Sequence, residues 1–488
     1  MMKMTIELLH QQLLQKKTSP IKIVRDAIAK AKKYEHYNGV VKLLEEEAMV
    51  IAKHLESMPI PEDNYLFAIP YAVKDNLATK NIVTSGGTKI LENFVPTFDS
   101  KVVKDINDYQ AVNIAKATLD ELGMGGTGLD SFTGFVYNPW NKNHITGGSS
   151  SGSAALVALG VVPFALASDT GDSIRKPASY TGIVGIKPTY GLISRYGLFP
   201  YAPSLDTVGV LANTVRDCAI VMDATVKFDA NDLTSQQAKE KDYLQNLSLD
   251  IKKYRLATIK SVNDGLRPLT GVLWSSVISK LKEQGLLIED IDFPLDLLKA
   301  LLPVYMVISF AEATSSQSNL TAINFGKRIS KDDDSYQNIM IKSRSVLGKT
   351  VKRRYVIGAY ALAQANQQEL FLQAKKVRRK IVDHFEKIFT DYDGLLLPAA
   401  GGDAPTIEKT INHKLELSDV NNLTNDALLL ANFSGAPSIT IPIGLVNELP
   451  FGMTINCLPF ADQKALNVAY GIEKIINFEN SCHHRKEK

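Results

Sequence analysis

Tyr254-Arg-Leu-Ala-Thr-Ile259, the stretch Val272 to Glu283, and Leu287-Ile-Glu-Asp-Ile-Asp-Phe293 read in turn as strand, helix and strand. Two short runs rich in apolar residues flank a longer segment of helical length, and that alternation predicts an α/β fold. The pattern extends outward in both directions. Leu66 to Val73 is an apolar run ending in Lys74, as expected of a buried strand that delivers a lysine at its end. Ala154 to Val161 follows a Gly-Ser turn as a helix of small residues, whose free N-terminal amides face whatever the turn holds. Ser19-Pro20, followed by Val24, Ala27, Ile28 and Ala31, predicts a capped amphipathic helix. The C-terminal third predicts helices around Tyr355 to Phe389 and strands at Gly394 to Leu397, Ser438 to Ile443 and Leu449 to Cys457. A polar stretch from Lys227 to Lys253 reads as an exposed connection.

Composition narrows the class. The 488 residues are 45% hydrophobic and 22% charged, which is ordinary for a globular chain. A formal net charge of +3 gives no strong pull toward nucleic acid or anionic lipid. Cys218, Cys457 and Cys482 form no CxxC pair, so neither a disulfide framework nor a zinc site is expected, and a reducing cytoplasm fits. The opening residues lack the design of a signal peptide. The longest apolar run, Ala154 to Ala167, is interrupted by Pro163 and is too short for the roughly 20 residues a bilayer requires.

Three stretches carry chemistry: Ile69-Pro-Tyr-Ala-Val-Lys74-Asp-Asn76, Gly147-Gly-Ser149-Ser150-Ser151-Gly-Ser153 and Asp169-Thr-Gly-Asp172-Ser173-Ile-Arg-Lys-Pro177. A serine hydroxyl attacks poorly unless a base takes its proton, and a lysine serves when burial brings its pKa toward neutrality. The adjacent Asp75 would oppose that shift if it pointed the same way. Glycine-rich turns let backbone approach a substrate, and amides near Thr170 to Ser173 could stabilise a tetrahedral oxyanion. These are the parts of an amide-cleaving site that uses neither histidine nor metal.

Together the three stretches resemble the amidase signature family, whose hallmark is a Ser-Ser-Lys triad in these contexts. The resemblance continues through Gly182 to Gly191 and Ser194 to Leu198. It implies one large domain over residues 1–488, a mixed β-sheet sandwiched between helices, with a helical segment of about 1–60 packed on it. Carried over by position, it implies Ser173 as acyl-forming nucleophile, Ser149 as bridging serine and Lys74 as base. The amides of Thr170, Gly171, Asp172 and Ser173 would form the oxyanion hole.

Within the family, Leu91 to Val95, Leu119 to Gly125, Asn138 to Asn141, Ser204 to Asp206, Ser343 to Ser345 and Val351 to Arg354 resemble the A subunits of tRNA-dependent amidotransferases. The implied reaction is hydrolysis of glutamine to supply ammonia for converting ATP-activated Glu-tRNA(Gln) to Gln-tRNA(Gln). It implies a heterotrimer with B and C subunits, tRNA held through the partner, no cofactor or metal in this chain, and ATP and Mg²⁺ at the partner. Tyr305 and Arg354 are implied to hold the polar head of glutamine, Arg354 by its α-carboxylate. An acid should meet the α-amino group; in Asn421-Asn-Leu-Thr-Asn425-Asp426 asparagine stands where aspartate is expected, and Asp426 is the candidate. The resembled pattern also has glycine where this chain carries Ser151 and Asp172, and glutamine where it carries Lys176. If the turn needs a positive φ, aspartate at 172 bears a cost. Its carboxylate is expected to point away from the oxyanion. A stand-alone amidase for small amides and a scaffold with a decayed site are the other readings.

Several signals are weaker. Gly148-Ser-Ser150-Ser-Gly152 fits the nucleophile elbow of α/β-hydrolases, but the polar Asn141 to Thr146 before it is no buried strand. Ser345-Val-Leu-Gly-Lys-Thr350 hints at a phosphate loop without its leading glycine and reads as a helix-turn segment. The histidines are scattered, most of them in segments that read as exposed. Lys375 to Lys380 reads as a solvated or partner-facing basic helix.

Overall fold

The computed structural model describes residues 4–323, 325–329, 331, 333–412 and 422–480. Among these, eleven strands form one sheet: β1 (Val40–Leu43), β2 (Pro70–Lys74), β3 (Val112–Ala117), β4 (Phe164–Asp169), β5 (Val184–Lys187), β6 (Thr207–Ala212), β7 (Arg255–Ile259), β8 (Leu287–Ile291), β9 (Gly394–Pro398), β10 (Ser438–Val446) and β11 (Leu449–Asn456). Their spatial order is β1-β3-β2-β4-β6-β5-β10-β11-β9-β7-β8. The sheet is mixed: β2 runs parallel to β3 and β4, and β7 parallel to β8 and β9, while β4, β6, β5, β10, β11 and β9 alternate in direction. Val73 lies opposite Leu166, so the parallel strands β2 and β4 bring Lys74 and Asp169 to the same edge of the sheet. Sites gather at such carboxyl ends because the loops leaving them diverge.

Side-chain alternation decides which face each residue serves. On β9, Leu396 packs into one core while Leu395 and Leu397 pack into the other; on β7, Leu256 divides in the same way from Ala257 and Ile259. β9 is buried on both faces throughout, so its sequence reads as continuously apolar. One face is covered by helices that include Pro20–Lys33, Val215–Thr225 and Asp462–Ile476, the other by Leu295–Ser316, Lys349–Leu362 and Gln373–Ile388. Burying a leucine such as Leu301 stabilises by about 1.5–3 kcal/mol, and truncating it to alanine costs about 2–5 kcal/mol. Leu295–Ser316 is, by length and composition, apolar enough to cross a membrane; its apolarity here serves packing, with Leu298, Leu301 and Ile308 in the core.

The predicted elements around Ser19, Tyr254, Val272, Leu287 and Gly394 are all present. Ser19 Oγ accepts from the Lys22 amide at 3.4 Å at the start of Pro20–Lys33. The run Ala154 to Ala167 divides where its proline falls: the helix ends at Ala158 and β4 begins at Phe164, directly after Pro163. The stretch from 227 to 253 carries no helix or strand but is less exposed than its polarity suggests. Tyr243 and Ile251 are buried, and the Tyr243 amide donates to Asp223 at 2.6 Å. His10 is likewise buried, against Tyr65. The phosphate-loop-like stretch is the turn between helices Tyr336–Arg344 and Lys349–Leu362. His413, Asn421, Cys482 and the tail 483–488 lie outside the described residues.

Candidate active site

Lys74 closes β2 and is fully buried. Its Nζ lies 2.8 Å from Ser149 Oγ, 2.8 Å from Ser150 Oγ, 3.0 Å from Ser168 Oγ and 3.2 Å from the Ser168 carbonyl oxygen. Every one of these neighbours is neutral. Burial brings the amine down to about 7, against the pull of Asp120, Asp169 and Asp206, which favour its charged form. An uncharged amine offers a lone pair, so a serine hydroxyl beside it can donate a proton. Asp75 is turned elsewhere. Its carboxylate accepts from the Ser85 amide at 2.9 Å and Ser85 Oγ at 2.5 Å, and faces Lys116 at 3.6 Å.

The Gly-Ser turn reaches Lys74 because residue 148 has no side chain. A Cβ there would lie 2.0 Å from Asp120 Oδ2. That carboxylate accepts from the amides of Thr127, Gly128 and Asp130 at 3.0–3.2 Å, so it cannot move aside cheaply. The Gly148–Ser149 peptide is cis, and helix Ser151–Ala158 starts two residues later.

The second turn leaves β4 after Asp169, which is fully buried with Arg175. The guanidinium grips the carboxylate through two nitrogens at 3.0 and 3.1 Å, and donates to the Gly171 carbonyl at 2.7 Å and Asn432 Oδ1 at 2.6 Å. Burial alone would raise the Asp169 carboxyl, but Arg175, Asn432 and the Ile174 amide bring it down to about 2. Thr170 Oγ1 donates to Asp206 at 2.7 Å. The Ser150 amide donates to the Ser173 carbonyl at 3.2 Å and seats the two serine turns side by side. Among the described residues, the amides of Gly171, Asp172 and Ser173 donate to no protein acceptor. Asp172 stands outside the left-handed region, so the expected backbone cost is not incurred. Its carboxylate pairs with Lys176, four residues on.

The implied binding residues divide into two groups. Arg354 donates to Tyr201 Oη at 2.8 Å and stacks over Phe310, and Tyr305 Oη donates to Tyr201 Oη at 3.4 Å. A Cβ on Gly171 would lie 3.0 Å from Tyr305 Oη, so the tyrosine covers the turn that follows β4. Asp426 forms no hydrogen bond or ion pair with either one among the described residues. Burial raises its carboxyl to about 7, with Lys176 opposing and Asp172 adding to the rise. Sequence reading missed Ser168, Asp120, Tyr201 and the Asp169–Arg175 pair. Ser168-Asp169, a polar pair closing an apolar run, was a usable signal; nothing near Tyr201 in sequence points to Arg354. Ser150, the residue of the elbow pattern, sits beside Lys74 with its hydroxyl donated to the Ser168 carbonyl at 3.1 Å, and Asn141 to Thr146 carries only isolated bridges. Among the described residues no group of three or more His, Cys, Asp or Glu side chains is placed to hold a metal ion.

A buried amine, two serine turns and free amides at the end of a mixed sheet define an amidase, and sequence comparison agrees. The profile of the Amidase family matches residues 22–466, and the chain belongs to that family. It is 41% identical to the A subunit of the glutamyl-tRNA(Gln) amidotransferase of Mycoplasma genitalium, over 84% of this chain and 87% of that one. The corresponding A subunit of Agathobacter rectalis is 35% identical, over 99% and 95%. The crystal structure of the A subunit of the glutamyl-tRNA(Gln) amidotransferase from Thermotoga maritima superposes with a TM-score of 0.79 at 31% identity, covering 97% of this chain and 94% of that one. A bacterial aryl acylamidase shares the fold, with a TM-score of 0.85 at 22% identity over 99% of both chains.

Proposed function

We propose that this chain is the glutamine-hydrolysing subunit of a multi-subunit tRNA-dependent amidotransferase, with Lys74, Ser149 and Ser173 as its triad. Ser173 Oγ attacks the side-chain carbonyl carbon of glutamine while its proton moves to Ser149 Oγ, whose own proton passes to the Lys74 lone pair. The carbonyl π-bond opens to an oxyanion facing the amides of residues 170–173. When it re-forms, the C–N bond breaks, Lys74 returns the proton to the leaving nitrogen through Ser149, and ammonia departs. Water then attacks the γ-glutamyl ester by the same relay, releasing glutamate and free Ser173. Arg354, with Tyr305, meets the α-carboxylate and Asp426 the α-ammonium. The ammonia serves B and C partner subunits, where ATP, Mg²⁺ and Glu-tRNA(Gln) are bound.

The observation that carries this reading is an amine brought to about 7 by burial, 2.8 Å from Ser149 Oγ and beside a turn with free amides. The names of the relatives support glutamine as the amide. The test is ammonia release from glutamine by the purified chain, with and without partner subunits and Glu-tRNA. Partner-dependent release supports the reading, whereas release from other small amides without partners overturns it in favour of a free-standing amidase. Ser173→Ala is expected to abolish the acyl-enzyme with the fold intact.

A further inference from the structure

Residue 172 puts a carboxylate on the turn where an anion must form. Asp172 directly precedes Ser173, and its carbonyl accepts from the Lys176 amide at 2.9 Å, which fixes it at the start of helix Arg175–Thr181. An ionised group there raises the energy of any oxyanion held by its own and neighbouring amides. Lys176 Nζ answers that charge. It is ion-paired with Asp172 Oδ2 one helical turn away, with only 17% of the lysine side chain and 21% of the aspartate exposed. Such shielding leaves the pair much less screened than one in open solvent. Asp426 and Tyr180 also lie in the electrostatic field of Lys176, and burial raises Asp426 against its pull.

We propose that Lys176 is a positioning residue for the acylation step: by pairing with Asp172 it holds that carboxylate off the oxyanion-binding turn and cancels its charge. The proposal rests on the assignment of Ser173 and its turn made above. Asp172 and Lys176 form one unit, in which the acid is tolerated because the base is present. Removing the base alone therefore does more harm than removing both.

The experiment measures the rate of acyl-enzyme formation and steady-state ammonia release with glutamine, using the full-length chain in its amidotransferase complex. Lys176→Gln is expected to lower kcat by about tenfold with little change in KM, since the exposed carboxylate opposes the transition state more than the bound substrate. Lys176→Arg keeps a cation in reach and is expected to retain most of the rate. Asp172→Asn/Lys176→Gln, which removes both charges with little change of shape, is expected to recover most of what Lys176→Gln loses. Recovery by deleting a second group is not the signature of a residue that merely supports the fold, and equal melting temperatures would confirm that all variants are folded. An unchanged kcat in Lys176→Gln, or a double variant as slow as it, overturns the proposal. Ser173→Ala, run alongside, separates the two levels: if it keeps turning over, the assignment of the site falls instead.

Discussion

Lys74 and Arg175 are two basic side chains with no exposed surface, Lys74 closing β2 and Arg175 opening the helix that follows the neighbouring parallel strand β4, yet their surroundings make opposite use of burial. Arg175 is held by a buried carboxylate through two hydrogen bonds and by three further oxygens on Gly171, Leu428 and Asn432 at 2.6–2.7 Å. Lys74 meets only hydroxyls and a carbonyl. Desolvation penalises both, but only Lys74 can relieve the penalty by losing its proton, because a guanidinium stays charged. Burial alone therefore does not decide charge; the partner does. The paired site fixes the shape of a turn, and the unpaired one is left able to give up its proton.

The sharpest way to break this comparison is to remove each basic side chain in turn. Lys74→Met should lower kcat for glutamine hydrolysis by at least about 10³-fold, as expected when a catalytic base is lost. Stability should move by no more than about 2 kcal/mol, because the methionine leaves hydroxyls rather than a charge without a partner. Arg175→Met should do the reverse in stability. It strands Asp169 in the interior and is expected to cost about 3–5 kcal/mol, read from chemical denaturation. Equal destabilisation by the two variants would remove the distinction between them.

Much of this contrast was legible in sequence, and the remainder was not for a physical reason. Lys74 closing an apolar run and serines in glycine turns are local patterns, and strand chemistry places them. The α/β class likewise follows from segment alternation around Tyr254 to Phe293. Strands β1 and β3 to β6 do not stand out in the sequence: β4, for one, begins directly after a proline in a run that also carries a helix, so a single apolar stretch hides two elements. The partners that set charge come from far along the chain. Asp206 reaches Thr170 from 36 residues away, and Asn432 reaches Asp169 from 263 residues away. No periodicity encodes such contacts. The Asp172–Lys176 pair, by contrast, is separated by one helical turn, and its two members were visible together as departures from the resembled pattern.

A smaller effect sharpens the same comparison by titration. With Lys74 near 7, its uncharged form dominates above that pH and is lost below it. The value of kcat/KM for glutamine should therefore be level on the alkaline side and fall by about tenfold per pH unit below about 7. Asp206→Asn removes one of the carboxylates that favour the charged amine, so the acid limb should shift to lower pH. A limb that stays in place would show that Lys74 is not the group being titrated.

The smallest expected effect concerns a buried carboxyl far from the site. Asp217 accepts from the Ile6 amide at 2.8 Å, and its second oxygen has no hydrogen-bond partner among the described residues. Burial raises it to about 7, opposed by its hydrogen bonds with Thr214 and the Ile6 amide. Like Lys74 it lacks an opposite charge, and like Lys74 it should be neutral when buried. The sign for an acid follows from linkage: with the folded pKa above the unfolded one, the stability this group contributes is full below the unfolded value near 3.8 and is lost as pH rises through about 7. Asp217→Asn keeps an acceptor for Ile6 and carries no charge, so it should be closest to the natural protein in acid and more stable than it in base. Between pH 5 and pH 6 the difference in unfolding free energy should widen by on the order of 1 kcal/mol in favour of asparagine. If it narrows instead, Asp217 is ionised in the folded chain, and the rule drawn from Lys74 and Arg175 fails at a second place where a buried group stands without an opposite charge to hold it.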